Sequence, residues 1–74
     1  MVNKLAKFVK ERRKELALSQ EELAGKIGIT NITVSRIERG IHIGSRTIRK
    51  LSLFLNVDTR TIRNLMLEDV DEDN

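Results

Sequence analysis

A chain of 74 residues that contains no cysteine has to hold itself together by packing alone. The disulfides that staple very small secreted domains are excluded, and so are a thiol nucleophile and any cysteine-based zinc site. An intracellular, cytoplasmic setting is the expectation. Proline, Trp and Tyr are absent and Phe occurs twice, which favours helices and removes the aromatic platforms on which single-strand binders stack bases. Hydrophobic residues make up 39% of the chain, enough for the modest core of one domain. No apolar run approaches the ~20 residues that span a bilayer, and the first residues do not have the form of a signal peptide.

The apolar pattern divides the chain into five helical segments. From Asn3 to Leu18, the residues Leu5, Phe8, Val9 and Leu16 recur at helical spacing, while Lys7, Lys10, Arg12 and Lys14 fill the other face. Ser19-Gln20-Glu21-Glu22 has the form of a capping box, in which the Ser hydroxyl accepts from the N–H three residues on and the Glu reaches back to the Ser N–H. It opens a second helix that carries Leu23, Ala24 and Ile27 inward and stops at Gly28, a residue type that turns left-handed without steric cost. Thr30 then caps a third helix with Val34 and Ile37 inward, ending at Gly40.

Residues 41–44 have no period and read as a loop. Gly44 or Ser45 caps a fourth helix with Ile48, Leu51 and Leu55 inward, leaving Leu53 and Phe54 off the stripe. Asn56 suits a left-handed cap, and Asp58 opens a fifth helix with Ile62, Leu65 and Met66 inward. The expected fold is therefore all-α, a compact five-helix bundle over residues 1–67 with low contact order. Residues 68–74 read as an acidic disordered tail.

The net charge of +3 conceals a division. All fourteen Lys and Arg lie before residue 64, whereas Glu68, Asp69, Asp71, Glu72 and Asp73 supply five of the eleven acids. A strongly basic body suggests a polyanionic partner, with nucleic acid ahead of an anionic membrane surface. A membrane-lying helix over residues 3–18 would need the apolar stripe that so small a core requires.

Two short helices joined by a tight Gly-containing turn, at about residues 19–39, form a helix-turn-helix arrangement. Packing Leu23, Ala24 and Ile27 against Val34 and Ile37 leaves the opposite face of the third helix bare, with Asn31, Ile32, Thr33, Ser35, Arg36 and Arg39 on it. Medium-length hydrogen-bonding side chains at the start of an exposed helix are what major-groove reading requires. The stretch LSQEELAGKIGITNITVSRIERG resembles the helix-turn-helix of the lambda-repressor-like, Cro-like (XRE) family of transcriptional regulators. The resemblance extends from about Leu5 to Met66, with S-Q-E-E-L-A, a turn Gly and S-R-I-E-R-G in the family's order and spacing.

That resemblance implies a recognition helix at about residues 30–39, homodimers on near-palindromic operators in double-stranded DNA, and a repressor acting by steric exclusion. Carried over by position, it places base contacts on Asn31, Ile32, Thr33 and Arg36, and phosphate contacts on Ser19, Gln20, Arg39 and Arg46. It also implies an ion pair between Arg13 and Glu38 that braces the third helix against the first. Asn pairs bidentately with adenine and Arg with guanine. Ile32 stands where the family often has a polar residue, so it either meets a thymine methyl or packs against its neighbours. The family's Asn-Pro before the fourth helix is Ile43-Gly44 here, and the start of the fifth helix, where the family dimer often carries apolar residues, is polar from Asp58 to Thr61 and at Arg63. Leu53, Phe54 or Leu67 then remain for dimer contacts.

An enzyme is not expected, since the chain has one histidine, His42, and no triad or ligand cluster. Neither a cofactor nor a metal is called for. The alternative function is an antitoxin or anti-repressor type of interaction module that binds a partner protein through Leu53, Phe54 and Leu67. Salt separates the two, because phosphate-driven binding weakens steeply as salt rises.

Overall fold

The computed structural model describes residues 2–71. In chain order it contains β1 (Val2–Asn3), α1 (Lys4–Glu15), α2 (Gln20–Ile27), α3 (Asn31–Glu38), α4 (Ser45–Leu55), α5 (Thr59–Leu67) and β2 (Asp69–Val70). The starts of α2, α3 and α5 are set by side chains. The Glu22 N–H donates to Ser19 Oγ at 3.0 Å while the Ser19 N–H donates to Glu22 Oε1 at 2.9 Å, completing the capping box. Thr30 Oγ1 and Asp58 Oδ1 accept from the N–H groups of Thr33 and Thr61 at 3.1 and 2.8 Å. Each cap satisfies donors that the first helical turn leaves without an intrahelical acceptor.

The ends of α1 to α4 share one device, a residue with left-handed backbone: Ala17 (φ 57°), Gly28 (86°), Gly40 (79°) and Asn56 (57°). Only Ala17 is unexpected there. It shortens the first helix from the expected end at Leu18 to Glu15, as the Leu18 N–H folds back to the Arg13 carbonyl at 3.1 Å. The cost of placing a β-carbon in this conformation falls on an exposed residue.

The core gathers Leu5, Val9, Leu23, Ala24, Ile27, Val34, Ile37, Ile48, Leu51 and Ile62, with Ala6 also buried. Three sequence expectations change. Phe8 and Leu16 lie at the surface, because α1 turns Leu5, Ala6 and Val9 inward instead. Ile43, read as loop, is buried and anchors the connection between α3 and α4. Leu55, Leu65 and Met66 are half-buried around the cluster, as is Phe54, which packs against the same cluster.

The acidic tail is also corrected. Glu68, Asp69 and Val70 are part of the fold: β1 and β2 pair antiparallel, with Val2 opposite Val70 and Asn3 opposite Asp69. The Lys4 N–H donates to the Glu68 carbonyl at 2.7 Å, and the two side chains pair at 2.8 Å. Val70 is the physical reason, since it is half-buried in a groove shared with Phe8, Val57 and Leu65 and so gives an otherwise charged segment an apolar foothold. Glu72, Asp73 and Asn74 lie outside the described residues. Asn3 is buried, caps α1 by accepting from the Ala6 N–H at 2.8 Å, and lies against the end of α3, where a β-carbon on Gly40 would come within 3.3 Å of the Asn3 nitrogen. No helix among the described residues is long and apolar enough to cross a membrane.

Candidate nucleic-acid interface

Gly28, Ile29 and Thr30 join α2 to α3. With Gly28 left-handed, the N–H groups of Gly28 and Ile29 both return to the Ala24 carbonyl, at 2.8 and 3.0 Å, and the chain leaves the helix axis within three residues. Lys50 on α4 adds an anchor that the sequence does not reveal: its ammonium donates to the Gly28 carbonyl at 2.7 Å, where a helix end carries partial negative charge.

On α3, Val34, Ile37 and Glu38 are buried, and Asn31, Ile32, Arg36 and Arg39 are exposed, with Ser35 half-buried between them. Ile32, 63% exposed, lies in the first turn of this face, beside Asn31 and one turn before Arg36. Thr33 turns away from it. That residue is half-buried, and its hydroxyl lies 2.9 Å from that of Thr30, in the cap of the helix. Thus three of the four residues assigned to base contact share one open face, and the fourth serves the helix start.

Arg13 and Glu38 meet in a two-pronged pair, Nε to Oε2 at 2.7 Å and Nη2 to Oε1 at 3.0 Å, with side chains 14% and 4% exposed. The third prong, Nη1, donates to the Leu18 carbonyl at 2.9 Å. Glu38 raises the pKa of the Arg13 guanidinium, mainly through the hydrogen bond and against the opposing effect of burial. Gln20 joins this cluster, donating from Nε2 to Glu38 Oε1 at 3.2 Å. The link crosses from the start of α2 to the end of α3, and no local spacing in the chain announces it.

The residues assigned to phosphate contact therefore fall into two groups. Ser19 and Gln20 have their side chains engaged, in the capping box and at Glu38 respectively. What α2 offers outward is the dipole end with the N–H groups of Gln20 and Glu21, which have no intrahelical acceptor, beside the carboxylates of Glu21 and Glu22. Arg39 and Arg46 are both exposed, and Arg39 makes a long 3.4 Å contact from Nε to the Ser35 carbonyl. Arg46 sits in the first turn of α4, whose cap, Gly44, supplies no side-chain acceptor. Exposed Ile41 and His42 connect these two arginines, held down by buried Ile43.

The helix-turn-helix family matches the chain over residues 9–62, a span that begins within α1 and ends within α5. A protein of Methanothermobacter thermautotrophicus (strain Delta H), named as an uncharacterized HTH-type transcriptional regulator, is 50% identical over 33 residues, or 45% of this chain. The aligned stretch spans 48% of that relative, about half its length.

Proposed function

The chain belongs to the helix-turn-helix family, in its lambda-repressor-like, Cro-like (XRE) branch, and on that premise we propose that it is a sequence-specific, double-stranded DNA-binding transcriptional regulator acting as a repressor. The observation that carries this reading is the bare face of α3, which presents Asn31, Arg36 and Arg39 outward from a helix locked to the bundle on its other side. An α-helix fits the major groove, the Asn31 amide matches adenine bidentately, and the Arg36 guanidinium matches guanine. Arg39 and Arg46, with the positive end of α2, contact phosphates on either side and fix register without reading sequence. The Arg13, Gln20 and Glu38 cluster holds the angle of the reading helix.

The regulator works as a homodimer on a near-palindromic operator, its half-sites about 10 bp or ~34 Å apart so that two α3 helices enter successive major grooves. Leu53 and Leu67, 78% and 81% exposed, are the most exposed large apolar side chains among the described residues and are offered to a second copy. Repression is steric: the bound dimer occupies the DNA.

Selection from a random duplex pool, with the intact protein and with Arg36→Ala, at two salt concentrations, tests this. The expected result is a two-fold symmetric motif that loses preference at one base position per half-site in the R36A variant. Arg39→Ala should weaken all sequences alike and lower the salt slope by about 1. Recovery of no motif above background would overturn the regulator reading in favour of a partner-protein module built through Leu53, Leu67 and the half-buried Phe54.

A further inference from the structure

The N-terminal part of the open α3 face carries exposed hydrocarbon. Ile32 is 63% exposed in the first turn of α3, with Arg36 one turn on, Arg39 a further turn on, and Asn31 beside it. The fold does not call for an isoleucine at this place. The buried side of α3 is supplied by Val34 and Ile37, the start of the helix is made by Thr30 and Thr33, and a β-branched residue adds nothing to helix propensity. Among polar neighbours on the face proposed to enter the groove, an apolar side chain has a matching group only where the DNA also offers hydrocarbon. On base edges in the major groove that group is the 5-methyl of thymine.

Resting on the reading of α3 as the DNA-reading helix, we infer that Ile32 is a specificity-determining residue that seats the 5-methyl group of one thymine in each half-site, between the bases met by Asn31 and Arg36. A second copy of the chain is the competing occupant of this face. Two such faces meeting would bring the Arg36 and Arg39 guanidinium groups of both copies together without a counter-charge, and desolvated like charges oppose that contact. DNA supplies both the methyl and the negative charge. The covered isoleucine also excludes water from the flanking base contacts, where a drier setting strengthens hydrogen bonds.

The test removes only the methyl. In the duplex recovered by pool selection, each thymine is replaced in turn by deoxyuridine, and binding of the intact protein is compared with that of Ile32→Ala and Ile32→Val. One thymine per half-site should respond, with deoxyuridine weakening the intact protein about fourfold at each, the effect of one buried methyl. Ile32→Ala should show no response at that position and Ile32→Val an intermediate one, while both variants melt with the parent. The inference is overturned if no thymine responds, or if the response persists undiminished in Ile32→Ala. It is also overturned if Ile32→Ala lowers the oligomeric state in sedimentation without DNA, which would assign the side chain to contacts between copies. A pool that enriches a motif sensitive to Arg36→Ala, but contains no methyl-responsive thymine, removes this inference alone. A pool that enriches nothing removes it together with the regulator reading.

Discussion

The stretch from Ser19 to Gly40 and the paired chain ends at β1 and β2 are built by opposite means. In the first, each boundary is decided within a few residues: Ser19 by Glu22, Gly28 by its own backbone freedom, Thr30 by Thr33. In the second, Val2 and Asn3 take their conformation from Val70 and Asp69, at the other end of the chain. Local chemistry makes a helix-turn-helix unit of defined shape, and long-range pairing then fixes where its far end rests, through Asn3 and Val2 against Gly40.

The largest break in this comparison should come from Glu38, which belongs to the helix-turn-helix unit yet depends on distant partners. Glu38→Ala leaves the Arg13 guanidinium buried without its counter-charge, and the Gln20 amide without its acceptor. A loss of ~3–5 kcal/mol in urea denaturation is expected. A loss below ~1 kcal/mol would mean that the pair is solvated and does not brace α3.

That dependence marks where the sequence ceases to be legible. Helix starts and stops at Ser19, Gly28, Thr30, Gly40, Asn56 and Asp58 follow from cap chemistry, and the inward residues of α2 and α3 follow from periodicity. The open face of α3 is legible for the same reason. The bonds from Gln20 to Glu38 and from Lys50 to Gly28 span 18 and 22 residues, and only packing sets them. Thr33 has two uses for its hydroxyl that periodicity does not separate, and in the fold it lies beside that of the capping Thr30. Charge density hid Val70 in the tail, and the lack of a period hid Ile43 in its loop.

Gly40 and Gly28 sharpen the contrast, since both are left-handed but only Gly40 is crowded. Gly28→Ala meets only the distant Lys50 Nζ at 4.0 Å, so the backbone term alone applies, about 1 kcal/mol. Gly40→Ala adds contacts of 3.3 and 3.4 Å to backbone atoms of Asn3 and Val2, and should cost about 2 kcal/mol or displace β1. Amide exchange at Lys4, whose N–H is held by Glu68, separates these outcomes. Equal costs with unchanged exchange would show that the paired ends are not coupled to α3.

Ala17 runs the other way. Its left-handed backbone is exposed and carries a β-carbon, so Ala17→Gly should raise stability by about 0.5–1 kcal/mol in the same denaturation series. A destabilised variant would mean that the glycine's added freedom in the unfolded chain outweighs the relieved strain.

The smallest expected effect is that of acid on the caps. Glu22 and Asp58 titrate below their ordinary values, first because backbone N–H groups, of Ser19 and Thr61 respectively, donate to the carboxylates. A carboxylate whose folded value is depressed stabilises the fold above its unfolded value, about 4.3 for Glu and 3.9 for Asp, and that contribution disappears as pH falls through the folded value. Melting followed from pH 6 downward should therefore decline more steeply in the parent than in Glu22→Gln, with the two curves converging in acid. Parallel curves would remove Glu22 from the pH response.

The antiparallel pair of Val2–Asn3 with Asp69–Val70 turns a linear chain into a nearly closed ring. A short flexible linker from residue 70 to residue 2 would complete it, and new ends could then be opened in an exposed connection such as Gly44 or Asn56. Such circular permutants would keep the order of α2, turn and α3 intact while moving the point at which a fused domain departs, so that the direction of any appended module becomes a matter of where the ring is cut.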